Sequence, residues 1–421
     1  MTMKVYIKNF GCKVNQAEGE YLRNLARSTK LELGDEDDAK LVIVNSCAVT
    51  SRTEQKIYQY IRSIRRRNPR AKIAVVGCLG SLLKNLKTKR EGLDIDYIAG
   101  HKEKFFFLNT VGTPSIEPDL WASSERFYEH TRAFVKIQDG CEHFCSYCIV
   151  PFLRGKEISR PLESILAQVE RLSEKGFMEI VLVGVRVGSW QSEIDNKKLS
   201  LVDLLRILTA RFPQIRIRIT SLEPWEINRE LINFISTSST IAKHFHIPLQ
   251  SGSDRLLKLM NRPYSAEEFE SLVLEIKRLM PTAGIGLDII VGFPGETEAD
   301  FLKTVELVKR LPISYIHPFR FSARPWTVAS KLQDQVSGEE KMRRLRLIKN
   351  ISINKRQEFL RSFVSQTLEV IPERVKNGVW SAHSDNYILC QFRSCKKIRG
   401  KLVRVKGIEP QGNALFCELV E

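Results

Sequence analysis

Three cysteines stand in a C-x3-C-x2-C spacing, Cys141, Cys145 and Cys148, within DGCEHFCSYCIVP from Asp139 to Pro151. Three thiolates this close can ligate three irons of a 4Fe-4S cube and leave the fourth without a protein ligand, open to a cofactor. A zinc site normally closes on four ligands. His143 lies between the first two cysteines, so a zinc loop is an alternative, although this is not a usual zinc-pair spacing. Unliganded core thiols are a third reading, but buried cysteines rarely crowd into one loop. Three more cysteines, Cys12, Cys47 and Cys78, are distant in sequence, yet each follows a run that reads as a strand.

Those runs set the expected frame. Lys4 to Lys8 leads into Gly11-Cys12, and a helix carrying Tyr21, Leu22 and Leu25 follows. Leu41 to Val44 and Ile73 to Val76 are continuous apolar runs, as in strands buried on both faces, and they end at Asn45-Ser46-Cys47 and Gly77-Cys78. Ser51 with Glu54 predicts a capping box for a helix whose stripe is Ile57, Ile61 and Ile64. Each cysteine thus occupies the turn after the carboxyl end of a parallel strand, where open α/β sheets place their ligands. One such cysteine would read as a core or loop thiol; three at equivalent positions read as a second three-thiolate site.

Six strand-like runs follow: Ala133 to Ile137, Glu179 to Val183, Ile215 to Thr220, His244 to Leu249, Gly284 to Val291 and Tyr315 to Phe321. Helices between them are announced by Pro161-Leu162-Glu163 and by a capping box of Ser265 with Glu268. Repeated βα units of this length predict a parallel sheet curled into a barrel of six units, with the cysteine loop at its carboxyl face. After about Phe363 the pattern changes to short strands, Gln366 to Val370, Tyr387 to Gln391, Lys401 to Lys406 and Ala414 to Val420. Asn377-Gly378, Arg399-Gly400 and Gln411-Gly412 mark their turns. The expected fold is α/β: an N-terminal open parallel sheet over residues 1–125, a central partial (β/α)6 barrel over 126–355 and a small antiparallel β-barrel over 360–421.

With 43% hydrophobic and 27% charged residues among 421, the composition is that of a soluble globular protein. No apolar run approaches a membrane span, and MTMKVYIKNF lacks the apolar region of a signal peptide, so a cytoplasmic enzyme is expected, with no membrane partner. Nine cysteines in that compartment argue for metal binding or redox chemistry rather than disulfides. Net charge is +17, and the excess is clustered, which predicts a nucleic-acid partner. From Lys341 to Arg361 eight basic residues face one acidic residue, Glu358, in a helical pattern. A solvated helical face accounts for part of that run; its density also suits phosphate tracking. Cys390, Cys395 and Cys417 read as core thiols, and a zinc site with His383 has no ligand spacing behind it.

With Tyr147 just before its third cysteine, the first loop resembles the signature of the radical S-adenosylmethionine enzymes. The resemblance implies that the open iron chelates the amino and carboxylate groups of S-adenosylmethionine, which is cleaved to a 5′-deoxyadenosyl radical. The two cysteine triads in this order, with FGCKVNQ, VNSCAVT and VVGCLG, resemble the methylthiotransferase family through the whole chain. That implies two 4Fe-4S clusters, one making the radical and one holding the sulfur to be transferred. Cofactor contacts are then expected at Tyr147, at Gly184, at Gln250, Ser251 and Gly252 in HIPLQSG, and at Asp288 and Gly292 in DIIVGFPGE. A glycine-rich strand end by itself is more often a tight turn.

Arg154 and Arg160 match a basic stretch that the family carries after its cluster, and are expected to meet RNA phosphate or a cofactor carboxylate unless they form an ordinary surface pair. Arg216 and Arg218 alternate along a strand and point to one side, where burial would demand an anionic partner. The chain departs from the family pattern at Glu142, where Asn is usual, near Arg186, where Asp or Asn is usual, and at Trp326, where Gly is common. The C-terminal module resembles the TRAM RNA-binding domain, with Lys396, Lys397, Arg399 and Lys401 as expected RNA contacts.

The resemblance implies a tRNA methylthiotransferase served by a reductant such as a flavodoxin or ferredoxin and by a sulfur source. The string Cys12-Lys13-Val14-Asn15 resembles the branch acting on C2 of N6-threonylcarbamoyladenosine at tRNA position 37, 3′ of the anticodon. The alternatives are the isopentenyladenosine branch and the branch modifying a ribosomal-protein aspartate. A non-catalytic RNA-binding protein with structural metal and an iron-sulfur electron-transfer protein are rivals from other classes.

Overall fold

The apolar runs at residues 41–44 and 73–76 become central strands of a five-stranded sheet. Strands β1 (Lys4–Asn9), β2 (Glu32–Leu33), β3 (Leu41–Ser46), β4 (Lys72–Gly77) and β5 (Tyr97–Ala99) are all parallel, in the order β2-β1-β3-β4-β5. This is a computed structural model, and it describes residues 3–29, 31–86, 93–111, 119–127 and 130–420. Side chains of β3 alternate between two cores. Val42 and Val44 pack with Ile57, Ile61 and Ile64 of helix α2 (Ser51–Arg67) and with Leu79, Leu82 and Leu83 of α3 (Cys78–Asn85). Leu41 and Ile43 pack with Tyr21, Leu22 and Leu25 of α1 (Lys13–Ser28) and with Phe105 and Leu108 of α4 (Lys104–Val111). Each aliphatic side chain so buried contributes about 1.5–3 kcal/mol.

The cap of α2 differs from the expected capping box. Thr50 is the N-cap, its Oγ1 accepting the Thr53 N–H at 3.2 Å. Ser51 and Glu54 are drawn to a later loop instead. Ser51 N–H donates to Ser322 Oγ at 3.0 Å, and Glu54 pairs with Arg324.

The central strands are β6 (Ala133–Lys136), β7 (Glu179–Val183), β8 (Arg216–Ile219), β9 (His244–Gln250), β10 (Gly284–Val291) and β11 (Tyr315–Arg320). Two parallel ladders, β6-β7-β8 and β9-β10-β11, meet at a parallel bridge between Ile217 and Ile241, giving a six-stranded arc. Its helices start where expected, at Leu162 after Pro161 and behind the Ser265–Glu268 capping box. Helix α1 packs against this arc, where its Val14 and Ala17 join the barrel core.

A 24-residue helix, Gly338–Arg361, runs along β11, with Ser352 Oγ accepting the Ile316 N–H at 2.8 Å and donating to the Ile316 carbonyl at 3.0 Å. Beyond it, β12 (Thr367–Lys376), β13 (Val379–Ser384), β14 (Leu389–Arg393), β15 (Val403–Gln411) and β16 (Ala414–Val420) close a barrel in the order β12-β13-β14-β16-β15. Pairing is antiparallel except at the β14–β16 seam. Strand β13 is additional to the four expected. Cys390 and Cys417 are core thiols, whereas Cys395, expected in the core, is exposed. Among the described residues no helix is long and apolar enough to cross a membrane.

Candidate active site

Strands β1, β3 and β4 are neighbours, so the turns at their carboxyl ends converge and bring their cysteines together. Cys12 is the N-cap of α1, Cys47 follows β3 directly, and Cys78 opens α3. Gly11 has φ +113°, and a Cβ there would lie 2.6 Å from the Cys47 Cβ, so this approach needs glycine. Asn15 stitches two of the turns: its Nδ2 donates to the carbonyls of Phe10 and Ser46, both at 2.9 Å. Ser46 Oγ ties in the third, donating to the Val76 carbonyl at 2.6 Å and accepting the Leu79 N–H at 3.2 Å.

The second triad occupies the loop between the short strand Gln138–Asp139 and helix α5 (Val150–Arg154). Gly140 has φ +74°, and a Cβ on it would sit 1.9 Å from the Lys156 carbonyl oxygen. Asn261 clamps the loop, its Nδ2 donating to the carbonyls of His143 at 3.1 Å and Phe144 at 3.2 Å. His143 Nε2 bonds back to the Asn261 carbonyl at 2.8 Å, which takes up that ring nitrogen. Arg262 Nη1 lies 3.5 Å from Cys145 Sγ, and its other nitrogen pairs with Glu223.

All six cysteines line one cavity of about 490 Å³, and none is in a disulfide. Burial pushes the Cys47 and Cys148 thiols up to about 12 and Cys141 to about 11, and raises Cys78 and Cys145. Such thiols stay protonated at neutral pH unless a metal takes the sulfur. Two groups of three free thiols opening on one cavity fit a pair of clusters, each with one iron left to other ligands.

Behind the cavity lies a buried charge network. Arg154 donates to Asp139 at 2.8 Å, to Glu18 at 3.2 Å and to Asn15 Oδ1 at 2.9 Å. Lys136 joins Glu18 at 2.9 Å and Asp139 at 2.5 Å, and Lys104 pairs with Glu18. Burial opposes ionisation of both carboxylates, but Arg154 and the lysines hold Glu18 and Asp139 well below the usual carboxylate range. Burial, with Arg154 and Lys104, lowers His101 to about 4, so its imidazole is neutral. Glu18, His101 and Asp139 are close enough to ligate an ion, yet both carboxylates are already committed to these cations.

The residues singled out in the sequence divide. Tyr147, Gly184, Gln250 and Asp288 line the cavity. Ser251, Gly252 and Gly292, expected beside them, do not. The Gly252 N–H donates to Thr304 Oγ1 at 2.9 Å, Ser251 is fully buried beside it, and Gly292 meets Lys341 and Glu296. Arg154 and Arg160, expected to meet RNA phosphate or cofactor, are buried instead. Arg154 serves the network above, and Arg160 donates to Gln168 Oε1 at 2.5 Å and to the Lys136 carbonyl at 3.2 Å. Arg216 and Arg218 do share one side, and their anionic partner is Glu179 of the neighbouring strand, at 2.5 and 2.8 Å. Lys396, Lys397, Arg399 and Lys401 are exposed and have no ion pair among the described residues. Sequence reasoning passed over Arg262, Trp225, Tyr315 and Tyr387, which line the cavity; these lone aromatic and basic residues carry no motif.

Two family models match the chain: the radical SAM superfamily over residues 135–308 and the uncharacterized protein family UPF0004 over residues 4–100. A threonylcarbamoyladenosine tRNA methylthiotransferase of Thermotoga maritima is 33% identical over 97% of this chain and 95% of its own length. A tRNA-2-methylthio-N(6)-dimethylallyladenosine synthase of Fervidobacterium nodosum is also 33% identical, over 99% of each chain. Among solved structures, a radical S-adenosylmethionine methyltransferase from Kitasatospora setae shares the fold, with TM-score 0.54 at 15% identity over 78% of this chain and 75% of that one.

Proposed function

Because the chain belongs to the radical S-adenosylmethionine methylthiotransferase family, we propose that it adds a methylthio group to C2 of N6-threonylcarbamoyladenosine at position 37 of tRNA. The observation that carries this reading is the opening of two cysteine triads, from separate parts of the chain, on one cavity. Cys141, Cys145 and Cys148 would hold one 4Fe-4S cluster, and Cys12, Cys47 and Cys78 the other. When bound, the clusters and S-adenosylmethionine supply the radical cleavage and the sulfur transfer. A purine C–H has no useful acidity near neutral pH, so the cavity needs no side-chain base.

The chain's own share is binding, positioning and exclusion of water. Arg262 places positive charge beside the Cys145 sulfur and is itself fixed by Glu223. Gln250 and Asp288 offer hydrogen-bonding groups to the cofactor's hydroxyls and amine, with Asp288 held 3.1 Å from His246 Nε2. Arg186, braced by Glu157 at 2.6 Å and Glu226 at 2.5 Å, and Tyr147 close the walls against water. Lys396, Lys397, Arg399 and Lys401 are assigned to RNA phosphates. We assign the enzyme to the cytoplasm, with a flavodoxin or ferredoxin as reductant and a separate sulfur source.

Nucleoside mass spectrometry of tRNA from a deletion strain tests the substrate. Loss of 2-methylthio-N6-threonylcarbamoyladenosine, restored by the gene, is expected; an unchanged level refutes the assignment. Equal identity to the dimethylallyladenosine synthase makes that nucleoside the second reading, and the same measurement would register its loss instead.

A further inference from the structure

Lys13, beside Cys12, lines the cavity, and its ammonium lies 5.2 Å from the centre of the Tyr387 ring. It makes no hydrogen bond or ion pair with any described residue. The other lysine and arginine side chains lining this cavity are all matched by carboxylates. Arg154 has Glu18 and Asp139, Arg186 has Glu157 and Glu226, and Arg262 has Glu223. Arg132 and Arg218, which also lie over Tyr387, are matched by Glu179, and Arg132 by Glu373 as well. The carboxylate whose charge reaches this ammonium, Glu179, is already shared among Arg132, Arg216 and Arg218, so Lys13 has no carboxylate of its own and can accept one from a ligand.

The position of Lys13 narrows what that ligand group is. Tyr387, Tyr315 and His317 border both this cavity and a second cleft of about 490 Å³ between the 24-residue helix and the C-terminal barrel. Lys349 and Arg356 line the outer cleft and would hold a backbone phosphate there. A group carried on the base would reach Lys13 behind the shared wall. A threonylcarbamoyl substituent ends in a carboxylate, whereas a dimethylallyl substituent is uncharged throughout. We propose that Lys13, backed by Tyr387, is the specificity-determining site for the carboxylate of the threonylcarbamoyl substituent. This rests on the substrate reading above and deepens it.

The test uses the anaerobically reconstituted enzyme and three anticodon stem-loops, one bearing N6-threonylcarbamoyladenosine, one with its threonyl carboxylate as the methyl ester and one bearing N6-dimethylallyladenosine. The wild-type protein should bind the acid about 10- to 100-fold more tightly than the ester, the range of a charge-assisted hydrogen bond. Lys13→Gln should bind both at the ester's level, and Lys13→Arg should retain most of the preference. The acid–ester comparison on the wild-type protein does not depend on any variant assembling its clusters. Equal wild-type affinity for acid and ester, with methylthiolated product formed from the acid, overturns the role of Lys13 and leaves the substrate reading standing. A Lys13→Gln protein that keeps the full preference, with only its requirement for S-adenosylmethionine increased, also overturns it and reassigns Lys13 to the cofactor. Product from the dimethylallyl RNA alone overturns the substrate reading and the inference together.

Discussion

Arg154 joins the two cysteine triads through a single guanidinium. It closes the helix that follows Cys148, and its hydrogen bond to Asn15 ends on the side chain that holds the Cys12 and Cys47 turns together. Arg154→Met removes one partner from two buried carboxylates, which should cost about 3–5 kcal/mol, read by urea unfolding of the apo-protein. Arg154→Lys should cost less, because Lys keeps the charge but not the fork that reaches Asp139 and Asn15 together. An unfolding midpoint unchanged by Arg154→Met would refute this role. Nothing near Arg154 in sequence reveals its inward orientation, since Glu18 and Asn15 are 136 and 139 residues away. Lys13 was legible only as part of a family-like string; that it sits against Tyr387 with no carboxylate of its own emerges only from the fold.

Strands β7 and β8 couple the central barrel to the C-terminal one. Glu179 fixes Arg218, whose Nη1 donates to the Asp385 carbonyl at 2.7 Å and Nη2 to the Ser384 carbonyl at 2.8 Å. Burial opposes ionisation of Glu179, yet Arg218 and Arg216 hold it far below the usual carboxylate range. A depressed pKa contributes stability that is complete above the unfolded value of about 4.3 and is lost as pH falls toward the folded one. Hydrogen exchange over residues 384–389 of the apo-protein should therefore accelerate as pH drops below about 4, relative to the intrinsic rate. Glu179→Gln should loosen the same segment already at pH 7 and flatten its acid dependence. Protection equal to wild type in that variant would exclude the coupling.

The buried strands β3 and β4 were legible because continuous apolar runs admit few other readings. Strand β13 was not, because its inward positions, Trp380, Ala382 and Ser384, include only one large apolar side chain. The α2 capping box failed for another reason. Ser322 and Arg324, supplied from 271 and 270 residues away, compete for Ser51 and Glu54.

For the molecule as a whole, two countable properties follow. Reconstitution should load about eight irons, and replacing either triad by alanine should remove about four. Uptake should rise with pH, since raised thiols must release protons to bind. A wild-type protein that stops at four refutes the two-cluster reading. Changing Lys396, Lys397, Arg399 and Lys401 together to Gln should lower the slope of log affinity for tRNA against log salt by about 3. An unchanged slope would move the RNA footprint elsewhere, the 24-residue helix being next. There Arg343 and Arg344 are already neutralised by Glu298, Glu340 and Glu296, which leaves fewer charges for RNA than the sequence count implies.

Tyr387 belongs to the loop between β13 and β14, yet it forms part of the chamber in which the thiols meet. The module to which we assign RNA binding is therefore also masonry of the reaction vessel. Grafting it from a relative would swap a brick of that vessel along with the handle, so such hybrids should change what is modified as well as how tightly the transcript is held.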